Sequence, residues 1–157
     1  MKTIVTKKKK EEELIQQVKE WHKLAKHDIE KAEDDLNRGW YSDSCFYSQQ
    51  ACEKILKAFL RSRGVIMRGH KIEELIMVSK EHGLEVEDLI ERREMLEELS
   101  DQYLAPRYPN FRGKTARKIE DYTEDFAKSC LGVVRKIWER VRKKLKQTLE
   151  KANWEST

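Results

Sequence analysis

The sequence is poor in the residues that make turns: its 157 positions hold 6 Gly and 2 Pro. β-Sandwiches, barrels and doubly wound sheets all need frequent turns, so the scarcity argues against each of them. No run of ~18 apolar residues is present, so no membrane-spanning helix is expected. The stretch Met1 to Thr6, followed by Lys7 to Lys10, lacks the apolar core of a secretory signal. A cytoplasmic location is the expectation. Cysteine is scarce and odd in number. Cys45, Cys52 and Cys130 show no metal-like spacing, and they read as small buried hydrophobes in a reducing compartment. No Ser-His-Asp pattern, P-loop or Gly-rich phosphate cradle is found. His22 and His27 are five apart, which does not put them on one helix face as a metal pair. The acids Asp28, Glu33, Asp34 and Asp35 read as a solvated face. No metal and no cofactor is expected.

Charge is abundant. Charged residues make up 39% of the chain and hydrophobic residues 38%, with a net charge of +4. Many Lys, Glu and Leu with few turn formers predict long helices and short connections in one domain. The Lys/Glu-rich composition points to a thermophilic source. Domain organisation follows as a flexible basic tail over 1–10, one helical bundle over 11–150, and a frayed terminus over 151–157.

Apolar periodicity predicts five helices. The first runs from Glu11 to Arg38, with a stripe of Leu14, Val18, Trp21, Ala25, Ile29, Ala32 and Leu36, and stops at Gly39. The second spans Ser42 to Arg63 and is apolar on most sides, which marks a central helix. The third runs from His70 to His82 and the fourth from Val86 to Leu104. Pro106 and Pro109 then open the one long connection, Ala105 to Asp121. The last helix starts near Asp121, where Asp121 and Glu124 have capping-box spacing, and carries Phe126, Cys130, Val133, Ile137, Val141 and Leu145. The fold class is all-α: an up-and-down antiparallel bundle of about five helices.

The distribution of charge is uneven. No acid occurs from Lys54 to Lys71, nor from Arg107 to Lys118, whereas acids dominate Glu73 to Asp101. In the antiparallel bundle, the end of the second helix and the loop after the fourth can share a pole. Arg107, Arg112 and Lys114, interleaved with Tyr108 and Phe111 and assisted by Lys54 and Lys57, form a candidate nucleotide- or RNA-binding surface. Cations would hold phosphates, and Tyr108 or Phe111 would stack on a base. Two alternatives stay open: the basic runs are solvated faces, or Arg107 pairs with a carboxylate such as Glu53 and pins the loop. A second candidate is catalytic. Arg63 and His70, with six residues between them, are the residue types of a metal-free ribonuclease pair, with Arg on the phosphate and His as general base.

Several motifs converge on one family. The first helix carries Ala25, Asp28, Ile29 and Ala32. The second carries Gln49-Gln50-Ala51-Cys52-Glu53-Lys54-Ile55-Leu56-Lys57-Ala58. Gly69-His70 opens the third, and Tyr103 with Arg107-Tyr108-Pro109 follows the fourth. In these elements the chain, from about Leu14 to Leu145, resembles the HEPN domain (higher eukaryotes and prokaryotes nucleotide-binding), in particular members with an Arg-Tyr-Pro element. The resemblance implies a bundle of about five helices, a homodimer, and a minimal nucleotidyltransferase as partner in a toxin–antitoxin-like system. Many family members are ribonucleases with an Arg, a polar residue and a nearby His on a later helix. Here Gly64 follows Arg63. Members with the Arg-Tyr-Pro element are implied to bind nucleotides.

The final prediction from sequence is an isologous dimer interface. The second helix and the pair Val134 and Trp138 offer more apolar surface than one neighbour covers, with Trp138, Phe46 or Tyr47 as anchors.

Overall fold

A computed structural model describes residues 6–111 and 117–149. The described chain is helical with no strand: α1 (Lys7–Asn37), α2 (Tyr41–Ser62), α3 (Ile72–Glu81), α4 (Glu87–Ile90), α5 (Arg93–Asp101), a 3-10 turn (Ile119–Asp121) and α6 (Glu124–Thr148). The all-α expectation holds. Two boundaries moved because of caps. Thr6 accepts a hydrogen bond from the Lys9 amide, so Lys7 to Lys10 form the first turn of α1 and not a tail. At α6 the N-cap is Thr123, whose hydroxyl accepts from the Phe126 amide at 3.1 Å. Asp121 instead closes the 3-10 turn, where its carboxylate accepts from the Lys118 amide. Gly39 ends α1 as read from sequence. At φ +79, it lets Trp40 N–H reach the Asp35 carbonyl at 2.8 Å, a left-handed stop that a side chain would strain.

The single fourth helix is corrected to two. The chain turns at Arg92, and α4 is held apart from α5 by Arg140 of α6. That guanidinium grips both Asp88 oxygens at 2.6 and 2.7 Å and the Glu85 carbonyl at 3.2 Å. The apolar spacing from Leu89 to Leu96 fits one helix equally well, so the break has no local signal. The start of α3 is also set from outside. The Ser100 hydroxyl accepts from the Ile72 amide at 2.7 Å, which leaves His70 in the connection.

α2 is central, as its apolar wrap predicts. Cys45, Ala51, Cys52, Ile55, Leu56, Ala58, Phe59 and Leu60 are fully buried. They meet α6 through Val134, Ile137, Val141 and Leu145, which are equally buried. α1 runs antiparallel to α2, with Asp28 beside Lys54 and Gln17 beside Arg61. α6 runs in the same direction as α2. Cys130 neighbours Cys45 near their starts, and Arg63 donates to the Thr148 hydroxyl near their ends at 2.8 Å.

This parallel pair decides where the basic segments lie. The loop after α5 sits at the start of α2, where the Arg107 guanidinium covers the Phe46 ring at 3.7 Å. Arg63 is at the other end of α2. From Phe46 to Arg63 the helix rises roughly 25 Å at about 1.5 Å per residue. The expectation that the end of α2 and the loop share a pole is therefore corrected. It assumed strict alternation of direction, whereas α2 and α6 point the same way.

Candidate phosphate-binding face

The motif residues gather along one face of α2. Gln49, Glu53 and Lys57 are four apart, so their side chains stack on one stripe. Glu53 is buried at 6% exposure. Its two oxygens have different partners: Oε1 meets His70 Nδ1 at 2.6 Å, and Oε2 accepts from Lys57 Nζ at 3.2 Å. Gln49 Nε2 donates to the His70 carbonyl at 3.1 Å. The His70 ring lies flat against Tyr103 at 4.0 Å, with the planes 11° apart. Next to this group, Lys54 Nζ donates to Asp28 Oδ2 at 2.5 Å, and Asp28 is itself buried.

Lys54 and Lys57, read from sequence as assisting the loop, are each engaged with a buried carboxylate. A buried carboxylate needs such a partner, because desolvating a lone charge is costly. The alternative in which Arg107 pairs with Glu53 is corrected too. Glu53 is occupied by His70 and Lys57, and no carboxylate among the described residues pairs with Arg107. Its planar cation rests instead on Phe46, one of the proposed dimer anchors.

Arg107 opens a cleft of about 760 Å³, lined by Arg107, Tyr108, Phe111, Arg117, Lys118 and Ile119 among others. Tyr108 and Ile119 are exposed at 54% and 70%. Arg117 lies over Phe126 at 3.9 Å, and its Nε is buried with no hydrogen-bond partner among the described residues. Arg112 and Lys114 lie outside the described residues. The cleft therefore joins cations to exposed aromatic and apolar surface, which suits a ligand carrying both phosphate and a base. Sequence reading passed over Phe46 as a platform, Tyr103 as the cover of His70, and Arg117. Tyr103 carried a signal as a motif residue and Arg117 as a member of the basic run.

A buried hydrogen bond ties together the residues that flank the cleft in sequence. Tyr122 O–H donates to Gln102 Oε1 at 2.6 Å, and Gln102 is fully buried. Burial pushes the Tyr122 phenol well above its usual range. Because the folded state holds the neutral phenol, its contribution is complete below the unfolded value near ~10. It is lost as pH rises from there toward the folded value. Tyr122→Phe should cost about 1–3 kcal/mol at neutral pH by leaving Gln102 unsatisfied, and it should flatten the loss of stability above pH ~10. Denaturant titrations at neutral and alkaline pH check both.

Arg63 and His70 are not brought together. Arg63 donates to the His82 carbonyl at 3.3 Å and to Thr148 and lies over Phe59. His70 sits beside Glu53, roughly 15 Å back along α2. Trp138 is engaged within the chain, stacked on His22 at 4.7 Å, and Val134 is in the core. Among the described residues, no three His, Cys, Asp or Glu side chains gather as a metal site, and no helix is long and apolar enough to cross a membrane.

Comparison with known proteins matches this arrangement. A protein named "Putative toxin MJ1304" from Methanocaldococcus jannaschii is 31% identical over 138 residues, which are 85% of this chain and 91% of that protein. The crystal structure of TT1696 from Thermus thermophilus superposes with a TM-score of 0.68 at 33% identity, over 82% of this chain and 98% of that one. That of ST0689, described as an archaeal HEPN homologue, superposes with a TM-score of 0.64 at 31% identity, over 82% and 97%. The HEPN domain model matches residues 18–144, the span that holds Asp28, the α2 stripe, His70 and the Arg107 loop, and the chain belongs to the HEPN domain family.

Proposed function

We propose that this HEPN protein binds a nucleotide or RNA in the cleft after α5, as the toxin-like member of a toxin–antitoxin-like system. The observation that carries the reading is the cleft itself. Arg107 and Arg117 line it, each laid on an aromatic ring, and Tyr108 lines it with its ring exposed. Arg supplies planar donors suited to phosphate, and an exposed ring accepts a stacked base. The similarity to a protein named as a toxin supports the biological setting. A minimal nucleotidyltransferase as cognate partner is carried over from the family resemblance. Thermal unfolding with ATP, GTP and short RNA tests the binding. A ligand at 100 times its Kd should add about 2.7 kcal/mol of stability, and no shift with any of them would contradict the reading.

The family resemblance also supports a homodimer, and exposed Trp40 and Leu24, at 52% and 49%, supply apolar surface for it. Light scattering at micromolar concentration should give twice the chain mass. A mass of 18.8 kDa would contradict it.

A second reading, metal-free cleavage of RNA, is favoured by one contact, that of His70 with buried Glu53. Arg63 stands too far along α2 to share a phosphate with that histidine.

A further inference from the structure

We propose that the groove between α1 and α6 is a second nucleic-acid contact, one that holds the phosphodiester backbone of a single strand without reading its bases. It is separate from the cleft after α5. From Phe126, which lies against Arg117 of the cleft, to Trp138 in the groove, α6 rises roughly 18 Å at about 1.5 Å per residue. The groove encloses about 310 Å³. α6 supplies Trp138 and Arg142 to it, and α1 supplies Lys23, Lys26 and Glu30. Its buried lining is His22 and Ile29, each 8% exposed.

Charge is the first argument. Folding sets Lys23 and Lys26, both exposed, across the groove from Arg142. Neither lysine has a carboxylate partner among the described residues. Glu33 also lines the groove, but Arg135 holds it at 3.0 Å, which leaves Glu30 as the other acid. Like charges on facing walls repel, and a groove of one sign concentrates ions of the opposite sign. The sign persists beyond the groove. From Arg135 to Lys146, α6 carries seven cations and one acid. Lys136, Lys143 and Lys146 are exposed on it, whereas Val141 and Leu145 lie in the core. The helix therefore shows a cationic outer face and keeps no apolar face for a lipid surface. The second argument is the state of the ring. Trp138 carries His22 stacked at 4.7 Å and the Arg142 guanidinium at 5.9 Å. The groove thus offers cations but no open stacking platform, unlike the cleft with its exposed Tyr108. Cations without a platform suit the backbone alone. A strand enters a groove between two helices, where the broad acidic face of a folded protein does not.

Fluorescence anisotropy with a labelled single-stranded RNA of about 20 nucleotides tests this on the full chain, between 50 and 200 mM salt. Lys26→Gln with Arg142→Gln should weaken binding on the order of 10-fold at the lower salt. It should also reduce the slope of log affinity against log salt by about 1.4, at ~0.7 for each phosphate contact on a single strand. Polyuridine and polyadenine should be affected alike. The thermal shift with ATP, which reports the cleft, should stay as in wild type. Lys71→Gln with Lys80→Gln removes the same charge beside the acids of α3 and should change neither affinity nor slope. Wild-type affinity and slope in the groove variant, or an equal loss in the control variant, would overturn the inference and leave the cleft reading in place. A polyglutamate chain that binds wild type as tightly as RNA, and loses affinity in the groove variant, would overturn it in favour of an acidic protein. Absence of RNA binding by wild type would overturn it as well, while a shift with ATP would still uphold the cleft. A second readout needs no variant. Bound RNA should shield Lys23 and Lys26 from acetylation, read by mass spectrometry, with Lys80 left reactive. Equal modification of Lys23 and Lys26 with and without RNA would overturn the inference.

Discussion

Lys54→Ala is expected to destabilise the protein by about 2–4 kcal/mol. Removing one member of a buried ion pair costs about 3–5 kcal/mol, because the remaining charge stays desolvated, and the partial exposure of Lys54 reduces that somewhat. The lysine side chain is 22% exposed and the Asp28 side chain 8%, so the charge left alone would be the more deeply buried one. Lys54→Met with Asp28→Asn should recover much of the loss, since neither residue then buries a charge. Urea unfolding of the single and paired variants measures this. A single-variant loss below about 0.5 kcal/mol, the range of ordinary surface changes, would show that Lys54 is not a structural partner. It would also restore the sequence reading of Lys54 as a ligand contact. The two roles are separable: a structural Lys54 lowers stability, whereas a ligand contact lowers affinity and leaves stability nearly unchanged.

Arg107→Ala carries the largest expected effect on binding. A hydrogen bond to a charged group contributes about 1.5–3 kcal/mol, so losing the phosphate contact should weaken nucleotide or RNA binding by about 10–100-fold. Arg107→Lys should fall between the two, since it keeps the charge but loses the planar stack on Phe46 and the paired donors. Binding should also weaken with added salt, as phosphate contacts release counterions. Calorimetric titration of the three proteins with short RNA reads both effects. Wild-type affinity in Arg107→Ala would remove the residue from the site. Tyr108→Ala tests the stacking separately, with an expected loss of about 1–3 kcal/mol per stacked base.

Sequence pattern made the helices legible and left their arrangement open. Gly39 marked the end of α1 correctly because a left-handed stop is a local event. The wrap of apolar residues around α2 identified the central helix. The break between α4 and α5 was hidden, because it depends on Arg140, which follows 52 residues after Asp88. The parallel course of α2 and α6 was hidden for a similar reason. Strict alternation suits helices joined by short turns, but α6 is reached through the long Ala105–Asp121 connection, which is free to return the chain in either direction. That difference moved Arg63 away from the basic loop, whereas the Arg63–His70 pair is undone by the α2–α3 connection, which sets His70 against Glu53.

The candidate site was legible in its parts and not in its pairings. The motif residues Asp28, Gln49, Glu53, Lys54, His70, Tyr103 and Arg107 were all visible as a pattern. Which lysine serves which acid was not, because Asp28–Lys54 and Glu53–His70 join residues 26 and 17 positions apart. Charge runs in the sequence count cations but not the carboxylates folded against them. Lys54 and Lys57 therefore looked available when they are engaged. Arg107 and Arg117 rest on aromatic rings, so their charge still faces the cleft.

Nuclear magnetic resonance titration of the nitrogen-15-labelled protein with a short single-stranded RNA tests the central claim most directly. Saturable shifts should centre on the amides of Arg107, Tyr108, Phe111 and Arg117 and extend to His70, with Arg63, His82 and Thr148 at the far end of α2 unmoved. An absence of saturable shifts, or shifts centred on Arg63 and Thr148 with the cleft silent, would contradict it.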